Sequence, residues 1–252
     1  MPETKPRKAL FNPELKRRGI YLVPNLFTTA ALFCGFFAIV QGIQGDFERA
    51  AIAIFIAMIL DALDGRVARM THTQSAFGAE YDSLSDMVSF GAAPALVMYE
   101  WALRDLGRLG WIAAFIYCAA AALRLARFNT TLDVIDKRYF QGLPSPAAAA
   151  LVAGFIWVMV SAGIKGSEVH WLACGLTIVA GLTMVSNIRY YSFKDINLKK
   201  SVPFFSVAAI ALFFALAALS PEVTLFGIFV IYGLSGYVLT TVSLCRKPPP
   251  AA

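Results

Sequence analysis

Residues 47–86 read FERAAIAIFIAMILDALDGRVARMTHTQSAFGAEYDSLSD. An apolar run long enough to enter a bilayer ends in two aspartates, Asp61 and Asp64. The next apolar segment opens with two more, Asp82 and Asp86. Charged groups inside membrane spans are costly and mark functional sites. Asp61 and Asp64 stand three residues apart, Asp82 and Asp86 four, so on helices each pair shares a face. Gly65 and Ala68 continue the first stripe with small residues, which let another group approach the backbone. At about 1.5 Å per residue, Asp64 and Asp61 lie roughly 9 and 14 Å below a boundary near Met70. Asp82 and Asp86 lie roughly 10 and 16 Å below an entry near Ser75. The two pairs therefore reach similar levels.

The rest of the chain agrees that the setting is a membrane. Of 252 residues, 58% are hydrophobic and 15% charged, and the mean hydropathy is +0.65. That much apolar surface excludes a disordered chain and exceeds what one soluble core can hide. The apolar stretches run on for about 20 residues, which excludes the short alternating strands of an outer-membrane barrel. The expected fold is all-α, with about eight transmembrane helices near 20–43, 47–70, 83–103, 110–128, 146–164, 168–188, 202–219 and 223–245. Pro94 is expected to kink the third helix. Residues 1–19 read as a cytoplasmic basic segment, 20–245 as a polytopic domain and 246–252 as a cytoplasmic tail.

Orientation follows from charge. With both termini in the cytoplasm, 18 of the 22 Lys and Arg residues fall on that side. Only Arg49, Arg104, Arg108 and Lys165 do not. The net charge of +6 then reflects loops beside anionic lipid rather than nucleic-acid binding. The first span runs too long and lacks a cleavage site, so it reads as retained. The first twenty residues could form a surface-lying helix or a plain basic flank. The loop RYYSFKDINLKK, 189–200, is expected on the anionic inner leaflet. Cys34, Cys118, Cys174 and Cys245 are scattered and read as packing. His72 and His170 have no partners at ligand spacing.

Four carboxylates brought together must be protonated or neutralised by cations. Hard divalent ions suit an all-oxygen cluster, and two of them make a phosphate-transfer clamp. Arg69 beside them could grip a phosphate. The alternatives are a buried ion-pair network with Arg66 and Arg69, and a cation or proton carrier.

The spacing Asp61-x2-Asp64-Gly65-x2-Ala68-Arg69-x8-Gly78-x3-Asp82-x3-Asp86 resembles the signature of the CDP-alcohol phosphatidyltransferase family at every fixed position. That resemblance implies a six-helix core plus two C-terminal helices. It implies two divalent cations, Mg²⁺ or Mn²⁺, on Asp61, Asp64, Asp82 and Asp86, with Asp86 as general base. Gly65, Ala68, Arg69 and Gly78 would lie against CDP. Asn25 and Thr28, one turn apart after Pro24, are further candidates for nucleotide contact. Homodimerisation is a family-level expectation. Three more stretches, DSLSDMVSFGAAPA (82–95), ALRLARFN (122–129) and FQGLPSPAAAA (140–150), together with PNLFT at the first span, resemble the multi-span branch that uses CDP-diacylglycerol and L-serine. Arg124, Arg127, Asn129 and Ser145 are then candidates to hold serine. Membrane lipids would be the other partners.

Overall fold

The computed structural model describes residues 13–71, 73, 75–131, 139–191 and 204–245, with side chains described for 25–71, 73, 75–130, 141–191 and 211–242. The proposed N-terminal surface helix, His72, the greater part of the 189–200 loop and the tail 246–252 lie largely or wholly outside these residues. The helices α1 (Pro13–Ile43) and α2 (Phe47–Thr71) form an antiparallel hairpin. Gly45, at φ +81, makes the turn. Asp46 then caps α2 by accepting from the Arg49 amide at 3.1 Å.

The third rod runs from Ala76 to Leu103 as α3 (Ala76–Asp86), a π-helical turn (Met87–Ala92), α4 (Ala93–Met98) and a second π-helical turn (Tyr99–Leu103). It starts earlier than hydropathy alone places it, because its first turns carry Glu80, Asp82 and Asp86. Pro94 sits at the start of α4. Proline has no amide to give the carbonyl four residues back, here Phe90. The buried Tyr117 hydroxyl donates to that carbonyl at 3.1 Å. The irregularity thus appears as π-helical turns with a side-chain donor supplied from the neighbouring helix.

The remaining helices are α5 (Arg108–Thr131), α6 (Ser145–Ser161), α7 (Gly166–Val185), α8 (Phe204–Leu219) and α9 (Pro221–Cys245). α6 is apolar on every side and buried along most of its length, packing against α2, α4, α7 and α9. The core is rich in alanine: Ala38, Ala50, Ala51, Ala57, Ala148 and Ala149 are fully buried. Helix association in lipid has no water-driven term, so close backbone approach between small residues supplies the packing energy. Large apolar side chains such as Phe33, Phe36, Ile59, Trp111 and Leu212 instead face outward.

Among the described residues, four helices are long and apolar enough to cross a membrane on their own: Asn25–Ile43, Arg108–Thr130, Gly166–Val185 and Pro221–Val242. α6 is apolar but shorter. α2 and the third rod carry the carboxylates, and α8 has only 16 residues.

One pairing departs from the all-α expectation. Tyr139–Gln141 (β1) and Arg189–Tyr191 (β2) form a small antiparallel ribbon, with Phe140 opposite Tyr190 and Gln141 opposite Arg189. The start of the basic 189–200 loop is therefore a strand, with Arg189 and Tyr191 exposed and Tyr190 turned inward. Tyr190 is fully buried, and its hydroxyl donates to the Gly233 carbonyl of α9 at 3.0 Å. Alternating burial and aromatic residues favour a strand here, although the basic residues around it suggest exposure.

Candidate active site

α2 ends at Thr71 and α3 begins at Ala76. Ser75 caps α3, its Oγ accepting from the Gly78 amide at 3.0 Å. Gly78 has no side chain for a reason. A Cβ there would lie 3.1 Å from Ser75 Oγ and 3.6 Å from Asn25 Oδ1. The tight neighbour is the capping hydroxyl, so the bare backbone leaves room for Ser75 to cap α3. Gly65 lies under the Arg69 guanidinium, which would be 3.5 Å from a Cβ at that position.

This geometry brings the aspartates together. Asp61, Asp64 and Asp82 offer carboxylate oxygens all within 4.8 Å of one another. Asp86 stands beside them, its carboxyl close to that of Asp61. It also lies within electrostatic reach of Arg124. The four carboxylates therefore divide into a compact triad and a neighbour, Asp86.

Asp64 is buried and accepts the Thr28 hydroxyl at 2.8 Å. Asp82 Oδ1 is buried with no hydrogen-bond partner. A buried carboxylate oxygen left without a donor is an oxygen suited to a cation. The donor set is all oxygen and three carboxylates strong, so the residues fit a hard divalent ion. The ion-pair alternative is not formed. Among the described residues the ion pairs are Arg49–Asp46 and Arg104–Glu100, both at the far end of the bundle. Arg66 and Arg69 are exposed.

A cavity of about 330 Å³ opens beside the triad. Asn25, Thr28, Gly65, Ala68, Arg69 and Gly78 all line it, with Asp64 and Asp82. Sequence reading missed Thr73, Ser75 and Ala79 in the same wall. Ser75 carried a usable signal, a serine just before a helix that begins two residues ahead of Gly78. Thr73 carried none. Its position depends on a bond between its hydroxyl and that of Thr71 at 2.7 Å, and on its amide returning to the Ala68 carbonyl at 3.1 Å.

The four candidates for the acceptor do not stay together. Arg124 Nη1 donates to Ser145 Oγ at 2.8 Å. Ser145 is fully buried, and Arg124 Nε is buried with no hydrogen-bond partner. Arg127 turns to the ribbon, donating to Gln141 Oε1 and, at 2.8 Å, to Asn187 Oδ1. Asn129 Nδ2 donates to Ser83 Oγ at 3.0 Å, which ties the end of α5 to α3.

An acidic triad, a cavity of about 330 Å³ beside it and a partly buried arginine thus meet at one end of an apolar bundle. The family model described as CDP-alcohol phosphatidyltransferase matches residues 21–179, and the chain belongs to that family. It is a multi-pass membrane protein, and its family is dependent on divalent metal. The chain is 37% identical to the CDP-diacylglycerol–serine O-phosphatidyltransferase of Helicobacter pylori (strain J99) over 227 residues, covering 89% of this chain and 94% of that one. It is 36% identical to the enzyme of the same name from Methanocaldococcus jannaschii over 201 residues, 79% of this chain and 90% of the relative. The likeness to that of Mycobacterium tuberculosis (strain ATCC 25618 / H37Rv) is 31% over 223 residues, 86% and 78% of the two chains.

Proposed function

We propose that this chain transfers the phosphatidyl group of CDP-diacylglycerol to the hydroxyl of L-serine, giving phosphatidylserine and CMP. The observation that carries the reading is the likeness over nearly full length to enzymes named for that reaction. The cavity beside the aspartate triad fits it.

Asp61, Asp64, Asp82 and Asp86 are the residues that would hold two divalent cations, Mg²⁺ or Mn²⁺. Bound there, the ions would neutralise the pyrophosphate and the charge that develops on departing CMP. Asn25, Thr28, Gly65, Ala68 and Gly78 shape the wall against which CDP lies, and Arg69 grips a phosphate. Asp86 takes the proton of the serine hydroxyl as its oxygen closes on the lipid-side phosphorus. Its place beside Asp61 and toward Arg124 suits a base between phosphate and acceptor. Arg124, with one donor on Ser145 and a buried Nε still to satisfy, suits the serine carboxylate. Arg127 and Asn129, the other acceptor candidates, bond within the protein fold.

The site opens at the aspartate end, which we assign to the cytoplasm, where CDP and serine are dissolved, while the diacyl tails stay in lipid. In this reading eight helices span the cytoplasmic (inner) membrane. Both termini are cytoplasmic, residues 1–19 and 246–252 flank the 20–245 catalytic domain, and two copies pair as a homodimer.

CMP release by the purified protein in detergent tests the proposal. CDP-diacylglycerol and Mg²⁺ or Mn²⁺ are supplied with L-serine, glycerol 3-phosphate, inositol phosphate or buffer. Serine-dependent CMP that disappears with chelator is expected. CMP with another acceptor alone would overturn serine. Cation flux without CMP would favour the carrier.

A further inference from the structure

The two arginines at the end of α5 are three residues apart and share a face, yet they do different things. Arg124 faces Ser145. Arg127 holds the chain that leads to Ser145. Gln141, which accepts from Arg127, ends β1 only four residues before it. Between them the segment is laid against the end of α7. The Gly142 amide donates to the Ile188 carbonyl at 2.9 Å and the Leu143 amide to the Thr183 carbonyl at 3.1 Å. Gly142 has φ +79, and a Cβ on it would lie 2.1 Å from the Met184 carbonyl oxygen. Leu143 is buried.

Arg127 also binds the other side of this junction. It donates to Asn187 Oδ1 at 2.8 Å and to the Val185 carbonyl at 3.4 Å. Val185 ends α7, where carbonyls lack helical donors and a cation is favoured. One guanidinium thus joins α5, β1 and the α7–β2 junction.

We propose that Arg127 is a positioning residue for the acceptor. It fastens residues 141–145 to the end of α7 and so holds Ser145 against Arg124 beside Asp86. It is not itself the contact for the serine carboxylate. The inference rests on L-serine being the acceptor.

The test compares wild type with Arg127→Ala, Arg127→Lys, Asn187→Ala and the Arg127→Ala/Asn187→Ala double variant. CMP release is read against L-serine at saturating CDP-diacylglycerol, then against CDP-diacylglycerol at saturating serine. Arg127→Ala is expected to raise KM for serine roughly tenfold, the loss of bonds from a charged donor, while KM for CDP-diacylglycerol stays within about twofold. Arg127→Lys recovers part of the loss. Asn187→Ala shifts serine KM in the same direction, and the double variant is no worse than Arg127→Ala, because the two residues form one link. Additive effects, or a CDP-diacylglycerol KM that moves with that of serine, overturn the proposal. If Arg127→Ala does not fold, Asn187→Ala decides alone, and an unchanged serine KM overturns it. A wild-type enzyme indifferent to serine overturns the acceptor reading instead, and the same variants are then read in KM for the alcohol it does use.

Discussion

The Thr28 hydroxyl lies 2.8 Å from Oδ2 of Asp64, joining side chains 36 residues apart in a buried contact. Thr28 is fixed in turn, since its carbonyl accepts from Ser85 Oγ at 3.1 Å. Asp64 is therefore aimed by α1 and α3 as well as by its own helix. Thr28→Val keeps the shape and removes the donor. It is expected to lower kcat/KM or the apparent metal affinity about ten- to a hundredfold, the usual cost of losing a bond that orients a ligand. A Mg²⁺ titration of CMP release reads it.

The division of the carboxylates predicts a division of phenotypes. Asp82→Asn removes a member of the compact triad and should raise the divalent-ion concentration needed for half-maximal rate. Asp86→Asn should lower kcat by about 10²–10⁴, the contribution of a general base, with a smaller change in that concentration. Metal titrations of both variants at saturating substrates separate the two.

Divalent ions should also stabilise the fold, because they bind the folded triad and not the unfolded chain. At a concentration about 100 times Kd the gain is about 2.7 kcal/mol. Thermal unfolding in detergent should shift upward with Mg²⁺ or Mn²⁺ in the wild type. The shift should vanish in an Asp61→Asn/Asp64→Asn variant, and chelator should abolish wild-type CMP release.

Arg124→Gln removes the partly buried cation that lies within electrostatic reach of Asp86. KM for L-serine should rise about tenfold or more, the cost of a charge-assisted bond. Ser145→Ala, which leaves the guanidinium in place, should raise it less. Initial rates across serine concentrations give both values.

Gly142→Ala tests the left-handed turn that seats the ribbon on α7. Both its φ of +79 and the nearby Met184 carbonyl oppose a side chain. A loss of about 1–3 kcal/mol is expected, visible as a lower Tm in detergent.

The helices were legible because hydropathy over about 20 residues is a strong local signal. The start of the third rod was not, because the carboxylates of the site dilute that signal over its first turns. The β1–β2 ribbon was hidden for another reason: three residues pair with three others 48 positions or more away. On the site, the triad and the cavity wall were legible because nearly all of their residues lie between Asp61 and Asp86 at helical intervals. The acceptor side was not. Arg124 and Arg127 are equivalent by spacing, and only Ser145, Gln141 and Asn187, brought in by other elements, separate their tasks.

The π-helical turn at Met87–Ala92 begins directly after Asp86. Both sides of it pack against α1, and the rod below it also packs against α5, α6 and α7. Each residue in a helix turns the chain by about 100°, so the number of residues in this short stretch sets the angular phase between the anchoring half and the carboxylate half. Removing one residue there would leave every aspartate in the sequence and rotate Asp82 and Asp86 away from Asp61 and Asp64. In this rod, chain length is as much a determinant of the centre as residue identity.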